Sequence, residues 1–257
     1  MTTMQNMLKN PDANLVLALA DDLLMLGHVQ GDWTGLGPIL EEDIASSSMA
    51  QDDLSHALVL YEHLGAHFGI DADVIAYERD IADYRCCDLV TLPDEFDWAV
   101  AFARRWAIAH WAALVLDRLS KSDDQDLAER CLRLRAEQNL HLSYLDDWMH
   151  RLGSGPEEGR ARIQTALDTI SEHAGMVMEV PDRELADVEA FCCGREHLFN
   201  EWTAAMNAVL EHSGFTMTFP LPALDVFGGR RGTHAPHFHE QHAEMTEVRC
   251  ADPGATW

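Results

Sequence analysis

Asp53-Leu-Ser-His56 and its counterpart Glu137-Gln-Asn-Leu-His141 are the segments that decide the fold. Each sets a carboxylate and an imidazole about one turn apart on a long helix-forming stretch, so both side chains of a pair share a helix face. Helical bundles that cage two metal ions draw on two Glu-x-x-His helices plus one lone Glu on each of two further helices. Here one pair has Asp for Glu, the other is stretched by one residue, and neither lone Glu is found. The pattern predicts a four-helix bundle whose metal cage has degenerated.

Reading outward, Asn14–Gln30 is a first helix, with Leu15, Leu19, Leu23 and Leu26 at helical spacing. The Gly-rich turn Gly31–Pro38 ends it, and Pro38 suits the first turn of the next helix. A long second helix covers Ile39–Gly69, and an irregular crossover over Asp71–Pro93 holds a short helical piece at Ala72–Asp80. Asp94 or Glu95 opens a third helix that runs to Leu119, and Ser122 is the expected N-cap of a fourth, Asp124–Leu152. Further helices are expected at Glu157–Val180, Glu184–His212 and His237–Arg249, with a Pro- and Gly-rich loop over Gly214–Gly232. No segment alternates apolar and polar residues as a strand does. The chain reads as all-α: a ferritin-like four-helix bundle with additional C-terminal helices, in one domain over 1–257 (core about 14–152, additional helices and tail 157–257).

Met49, Asp53, His56, Leu60 and Leu64 fall on one stripe of the second helix, and Leu134, Glu137, His141, Leu145 and Trp148 on one of the fourth. Both acid–His pairs are therefore expected to face the bundle interior. A buried carboxylate there needs a partner or a metal. One reading has the pairs satisfy each other by hydrogen bonds. The other has Asp53, His56, Glu137 and His141 hold a first-row metal. Against the second, the first helix offers Asp21 and Asp22 but no Glu. The third offers Asp97 and Asp117 near its ends and His110 between them. Two ferric ions need more anionic oxygen than this, so no metal, cofactor or catalytic residue is expected in this chain.

The net charge of −26, with Lys9 and Lys121 as the only lysines, excludes the basic footprint that nucleic acid requires. It fits either a high-salt surface or a basic protein partner. The absence of an apolar run of about 18 residues predicts no membrane span. The first ten residues lack a signal-like pattern, so a cytoplasmic protein is expected. Cys86-Cys87, Cys131, Cys192-Cys193 and Cys250 lack metal-ligand spacing and read as thiols. The histidines of His234-Ala-Pro-His237-Phe-His239 and His242 read either as a metal tract or as polar residues of a docking loop.

Leu19-Ala-Asp-Asp-Leu-Leu-Met-Leu-Gly-His28, Gly31-Asp-Trp33, Gly37–Ala45, Glu137–His141 with Trp148–Gly153, and Gly228-Gly-Arg-Arg-Gly-Thr-His234 follow in order. With Ala243-Glu-Met245 and Pro253–Trp257 they resemble the PaaC subunits of bacterial phenylacetyl-CoA epoxidase, from about Ala13 to the C-terminus. The resemblance implies a ferritin-like, non-catalytic subunit. In the family it supports a homologous subunit that holds the di-iron centre and binds the acyl-CoA, within a complex that epoxidises the aromatic ring. It also implies an oligomer: a homodimer alone, and a hetero-oligomer with the catalytic subunit. One departure is the polar Ala45–His56 segment, with His56 where those subunits carry Gln; it leaves open a related complex acting on another CoA thioester. A stand-alone di-iron oxidase or oxygenase with a variant ligand set is the competing reading. Trp33, Trp98, Trp106, Trp202 and Trp257 are candidate partner-facing aromatics. The segment Gly228–Trp257 is expected either to join the partner contact or to fold back on its own bundle.

Overall fold

The computed structural model describes residues 3–180 and 194–252. Among them there is no strand, and nine α-helices account for most of the chain. They divide into two compact units, Met1–Thr91 with Phe227–Trp257, and Leu92–Val226. The all-α expectation is met.

In the first unit, α1 (Thr3–Leu8) precedes α2 (Pro11–Gly31), which begins where Pro11 takes the first turn and the Asn10 side chain accepts from Ala13 N at 2.9 Å. The sequence places this start three residues late, because Asn10-Pro11 is itself the start signal. A tight turn leads to α3 (Leu40–Phe68), and Asp43 Oδ1 pins it by accepting from Gly35 N at 2.6 Å and Gly37 N at 3.3 Å. So short a connection makes α2 and α3 antiparallel neighbours. Gly69, at φ +66°, ends α3 in the left-handed conformation that a side chain disfavours. A short α4 (Ala72–Tyr77) packs on α3. From Ala13 to Gln30 almost every residue of α2 is buried, beneath α1, α3 and the C-terminal helix α9 (Pro236–Ala251). A helix apolar on all sides has to be sheathed on all sides, and the C-terminal segment supplies part of that cover.

The second unit repeats the plan. Its central helix α5 (Trp98–Leu119) is covered by α6 (Gln125–Gly153), α7 (Glu157–Ala174) and α8 (Arg195–Ser213). By length and composition α5 would pass for a membrane span, but 89% of its most apolar window is buried within the protein, as in a core helix. The cap of α5 is Asp97, accepting from Ala99 N at 2.8 Å, rather than Asp94 or Glu95. Asp124, not Ser122, caps α6; Ser122 Oγ instead accepts from Asp124 N. The helix expected over Glu184–His212 is observed as α8, and its first part lies outside the described residues.

Candidate functional site

On α3 the expected stripe is observed: Met49, Asp53, His56, Leu60 and Leu64 are all buried, Asp53 and His56 to 1% exposure. On α6 three of the five expected positions, Leu134, His141 and Leu145, are buried, and Gln138 and Met149 take the inward places expected of Glu137 and Trp148. The buried positions include Leu127, Cys131, Leu134, Gln138, His141, Leu145 and Met149, each three or four residues from the last, whereas Glu137 is exposed and Trp148 half-buried. Glu137 therefore does not face inward as its spacing from His141 predicts. A four-residue step brings a side chain back to one side of the stripe, and a three-residue step to the other. Which step fits depends on the neighbours, and here Gln138 is the residue that fits. The buried pair on α6 is thus Gln138 and His141, with the three-residue spacing of Glu-x-x-His and an amide in place of the carboxylate. Gln138 Nε2 donates to the Ala109 carbonyl on α5 at 3.4 Å, the kind of bond a carboxylate cannot donate. Searching for acids rather than positions hides this residue; the four-three spacing of apolar neighbours is the signal that finds it.

Two acids of α2, Asp21 and Asp22, are fully buried and each meets a guanidinium. Asp21 takes two bonds from the Arg79 guanidinium, at 3.0 and 2.5 Å, one from the Tyr61 hydroxyl at 2.6 Å and one from Arg85 N at 2.6 Å. Arg79 also lies 4.0 Å from the centroid of Tyr84. Asp22 accepts from Arg230 Nη2 at 2.6 Å and from Cys87 N at 2.8 Å. Burial raises the Asp22 carboxyl above its ordinary range, and the Arg230 charge works against that rise. Burial works to lower the Arg230 guanidinium, and the Asp22 carboxylate beside it outweighs that and raises it.

In the second unit, Asp97 is spent as a cap and Asp117 pairs with Lys121 at 2.7 Å and Arg135 at 3.0 Å, which lowers its carboxyl. His110 is buried and meets Asp146 Oδ1 at 3.0 Å, and the same oxygen accepts from Trp106 Nε1 at 2.7 Å. Sequence reasoning leaves Asp146 unmentioned; its spacing of five from His141 places it off the inner stripe, half-buried at the α5 contact.

The C-terminal histidines form an aromatic packing rather than a tract. His234 stacks on Phe238 at 3.7 Å, His242 stacks on the same ring at 6.0 Å, and Tyr84 meets Phe238 and His242 edge-on. His237 pairs with Glu240 at 3.2 Å. With Arg230 fully buried, this stretch folds back on the first unit, while Pro253–Trp257 lie outside the described residues. Within either unit, among the described residues, no three side chains of His, Cys, Asp or Glu converge. Cys86, Cys87 and Cys131 are buried thiols whose ionisation burial opposes, Cys131 pushed up to about 12; Cys250 is exposed, and Cys192-Cys193 lie outside the described residues. Trp33, Trp106 and Trp202 are buried in the chain's own core and are not partner-facing; Trp98 is half-buried, and Trp257 is outside the described residues.

The PaaC subunit of 1,2-phenylacetyl-CoA epoxidase from Escherichia coli (strain K12) is 27% identical over 243 residues, covering 94% of this chain and 97% of that protein. The family model described as phenylacetic acid catabolic protein matches residues 1–257. The chain belongs to the phenylacetic acid catabolic protein family.

Proposed function

We propose that this chain is the non-catalytic scaffold subunit of a multicomponent phenylacetyl-CoA epoxidase in phenylacetate catabolism. It works in the cytoplasm, as a single ferritin-like domain, and supports a homologous subunit that holds the di-iron centre. The similarity to the Escherichia coli epoxidase subunit supports the complex and its substrate. The observation that carries the non-catalytic role is Gln138. Where a metal cage needs an anionic oxygen, this helix presents a neutral amide bonded to a backbone carbonyl, and Glu137 is exposed rather than buried. Asp21 and Asp22, the buried acids of α2, are each occupied by a guanidinium. Of the four candidate ligands, Asp53, His56 and His141 are buried, and Asp53 is the one buried carboxylate among them. One carboxylate and two imidazoles leave two ferric ions far from charge balance, so these residues do not fit a di-iron centre.

A subunit without chemistry acts by contact, so its role resides in an interface. Alone it forms a homodimer, and with its catalytic homologue a stable hetero-oligomer. Two measurements test the reading together: iron content after expression with ample iron, and co-purification with the homologous subunit of the same organism. About two irons per chain, or a homologue that elutes separately, would overturn it.

A further inference from the structure

Among the described residues, two that are not glycine have positive φ, and they are consecutive: Glu95 at 51° and Phe96 at 57°. A bulky aromatic is disfavoured in the left-handed region, since its Cβ crowds the carbonyl that follows. Such strain persists only where the surroundings over-determine it, and here they do. Arg104, 1% exposed, donates through Nη2 to Asp94 Oδ2 at 2.9 Å and through Nη1 to the Leu92 carbonyl. Asp94 then accepts Phe96 N on Oδ1 at 3.1 Å and Asp97 N on its carbonyl at 2.7 Å. A buried guanidinium thus clamps the turn at its first carbonyl and at its central carboxylate.

The result of this strain is an exposed ring. Phe96 is 79% exposed, the highest value among the large apolar side chains described. A singly exposed apolar residue ordinarily means nothing. An aromatic held out by a strained turn, itself fixed by a buried charge, is different, because the strained backbone keeps the ring in water. Two residues on, half-exposed Trp98 stacks on Phe102 at 5.1 Å and meets Trp148 edge-on at 5.9 Å, so the base of the turn is a rigid aromatic platform. Rigid aromatics are the residues that dominate interface energetics.

Resting on the scaffold reading above, we infer that Phe96 is a docking knob for a non-identical partner subunit, which receives it in an apolar pocket rimmed by Arg or Lys. Charge selects the occupant. Phe96 lies between the exposed carboxylates Glu95 and Asp97, on a chain of net charge −26. A second copy would bring the same acidic surface to the knob, whereas a basic rim gains attraction from both flanking carboxylates.

Phe96→Gly separates docking from folding, because glycine accepts φ near +57° and removes the ring. The isolated variant should melt at or above the wild-type temperature. Its complex with the homologous family subunit of the same organism should weaken at least about tenfold in Kd, as loss of an interface anchor does. Phe96→Tyr should restore affinity, and Glu95→Lys should slow association and flatten its dependence on salt. If wild-type chain binds the homologue and Phe96→Gly binds equally well, the knob is refuted and the scaffold reading stands. If the wild-type chain fails to bind, both fall. If Phe96→Gly converts a dimer of the isolated chain to monomer, the occupant is a second copy and the inference is wrong.

Discussion

Arg230 and Asp22 lie 208 residues apart and meet in an ion pair at 2.6 Å with both side chains fully buried. Arg230 Nη1 also donates to the Arg85 carbonyl at 2.8 Å, so one guanidinium ties the C-terminal segment to α2 and to the crossover. Next to it, Gly229 passes so close to the Cys86 carbonyl that a Cβ would overlap it. Removing one member of a buried pair strands the other charge, at a cost of about 3–5 kcal/mol. Arg230→Ala should therefore lower unfolding free energy by that order in urea titrations, with Arg230→Met milder in the Asp22→Leu background. A loss below about 1 kcal/mol would mean that the pair does not anchor the segment.

Stability should fall on mild acidification. Burial lowers the His234 imidazole to about 4 from an ordinary 6.5, with smaller effects of neighbouring charges including His239 and Arg85, and it also lowers His242 and His28. A base whose folded value is depressed binds more protons unfolded than folded between the two values. Its stabilising effect is therefore complete above about pH 6.5 and is lost as pH falls toward 4. The His234 contribution is on the order of 3 kcal/mol at most. Chemical denaturation at neutral pH and at mildly acidic steps below it should show the decline, and His234→Phe, which keeps the stack on Phe238 without a titrating group, should shallow it. A pH-independent midpoint over this range would contradict the assignment.

Neighbouring substitutions on α6 should rank in the opposite order to the one that acid-spotting suggests. Glu137→Ala, on the exposed face, should change stability by no more than about 0.5 kcal/mol. Gln138→Ala removes a buried amide bonded to Ala109 and should cost about 1–3 kcal/mol. Thermal melts of the two variants measure this directly. Equal losses would show that α6 is not oriented as described.

The helices are legible in the sequence because their periodicity is long and their punctuation strong: Pro156, Gly69 and Gly153 end or open elements where the sequence places them. The Asp53–His56 pair is legible too, since α3 keeps one stripe inward from Met49 to Leu64. Glu137 is misplaced because a four-residue and a three-residue step are equally helical. Only the neighbours of α6 decide between Glu137 and Gln138. The Asp22–Arg230 and Asp21–Arg79 pairs are illegible for a further reason. Charge pairing across 208 and 58 residues leaves no local pattern, and two adjacent acids on an apolar helix look like an interruption rather than half of two bonds. The start of α5 fails differently. Asp94 and Glu95 are good helix-opening residues, but the Arg104 clamp holds the turn in a conformation no helix can continue.

Asp146 Oδ1 accepts from Trp106 on α5 at 2.7 Å and from His110 at 3.0 Å. Trp106 is fully buried, so an unpaired indole N–H there would carry its full desolvation cost. Trp106→Phe keeps most of the ring but loses the donor and leaves a small void, and Asp146→Ala loses the acceptor for both partners. Each alone should destabilise by about 1–3 kcal/mol. The void left by Phe is present whether or not Asp146 is, so it cancels in a double-mutant cycle, while the hydrogen bond does not. The coupling between the two substitutions should therefore be favourable by about 0.5–3 kcal/mol, measured by denaturant unfolding of the two single variants and the double variant. Strict additivity would assign the cost of Trp106→Phe to packing alone and show that its bond to Asp146 contributes no stability.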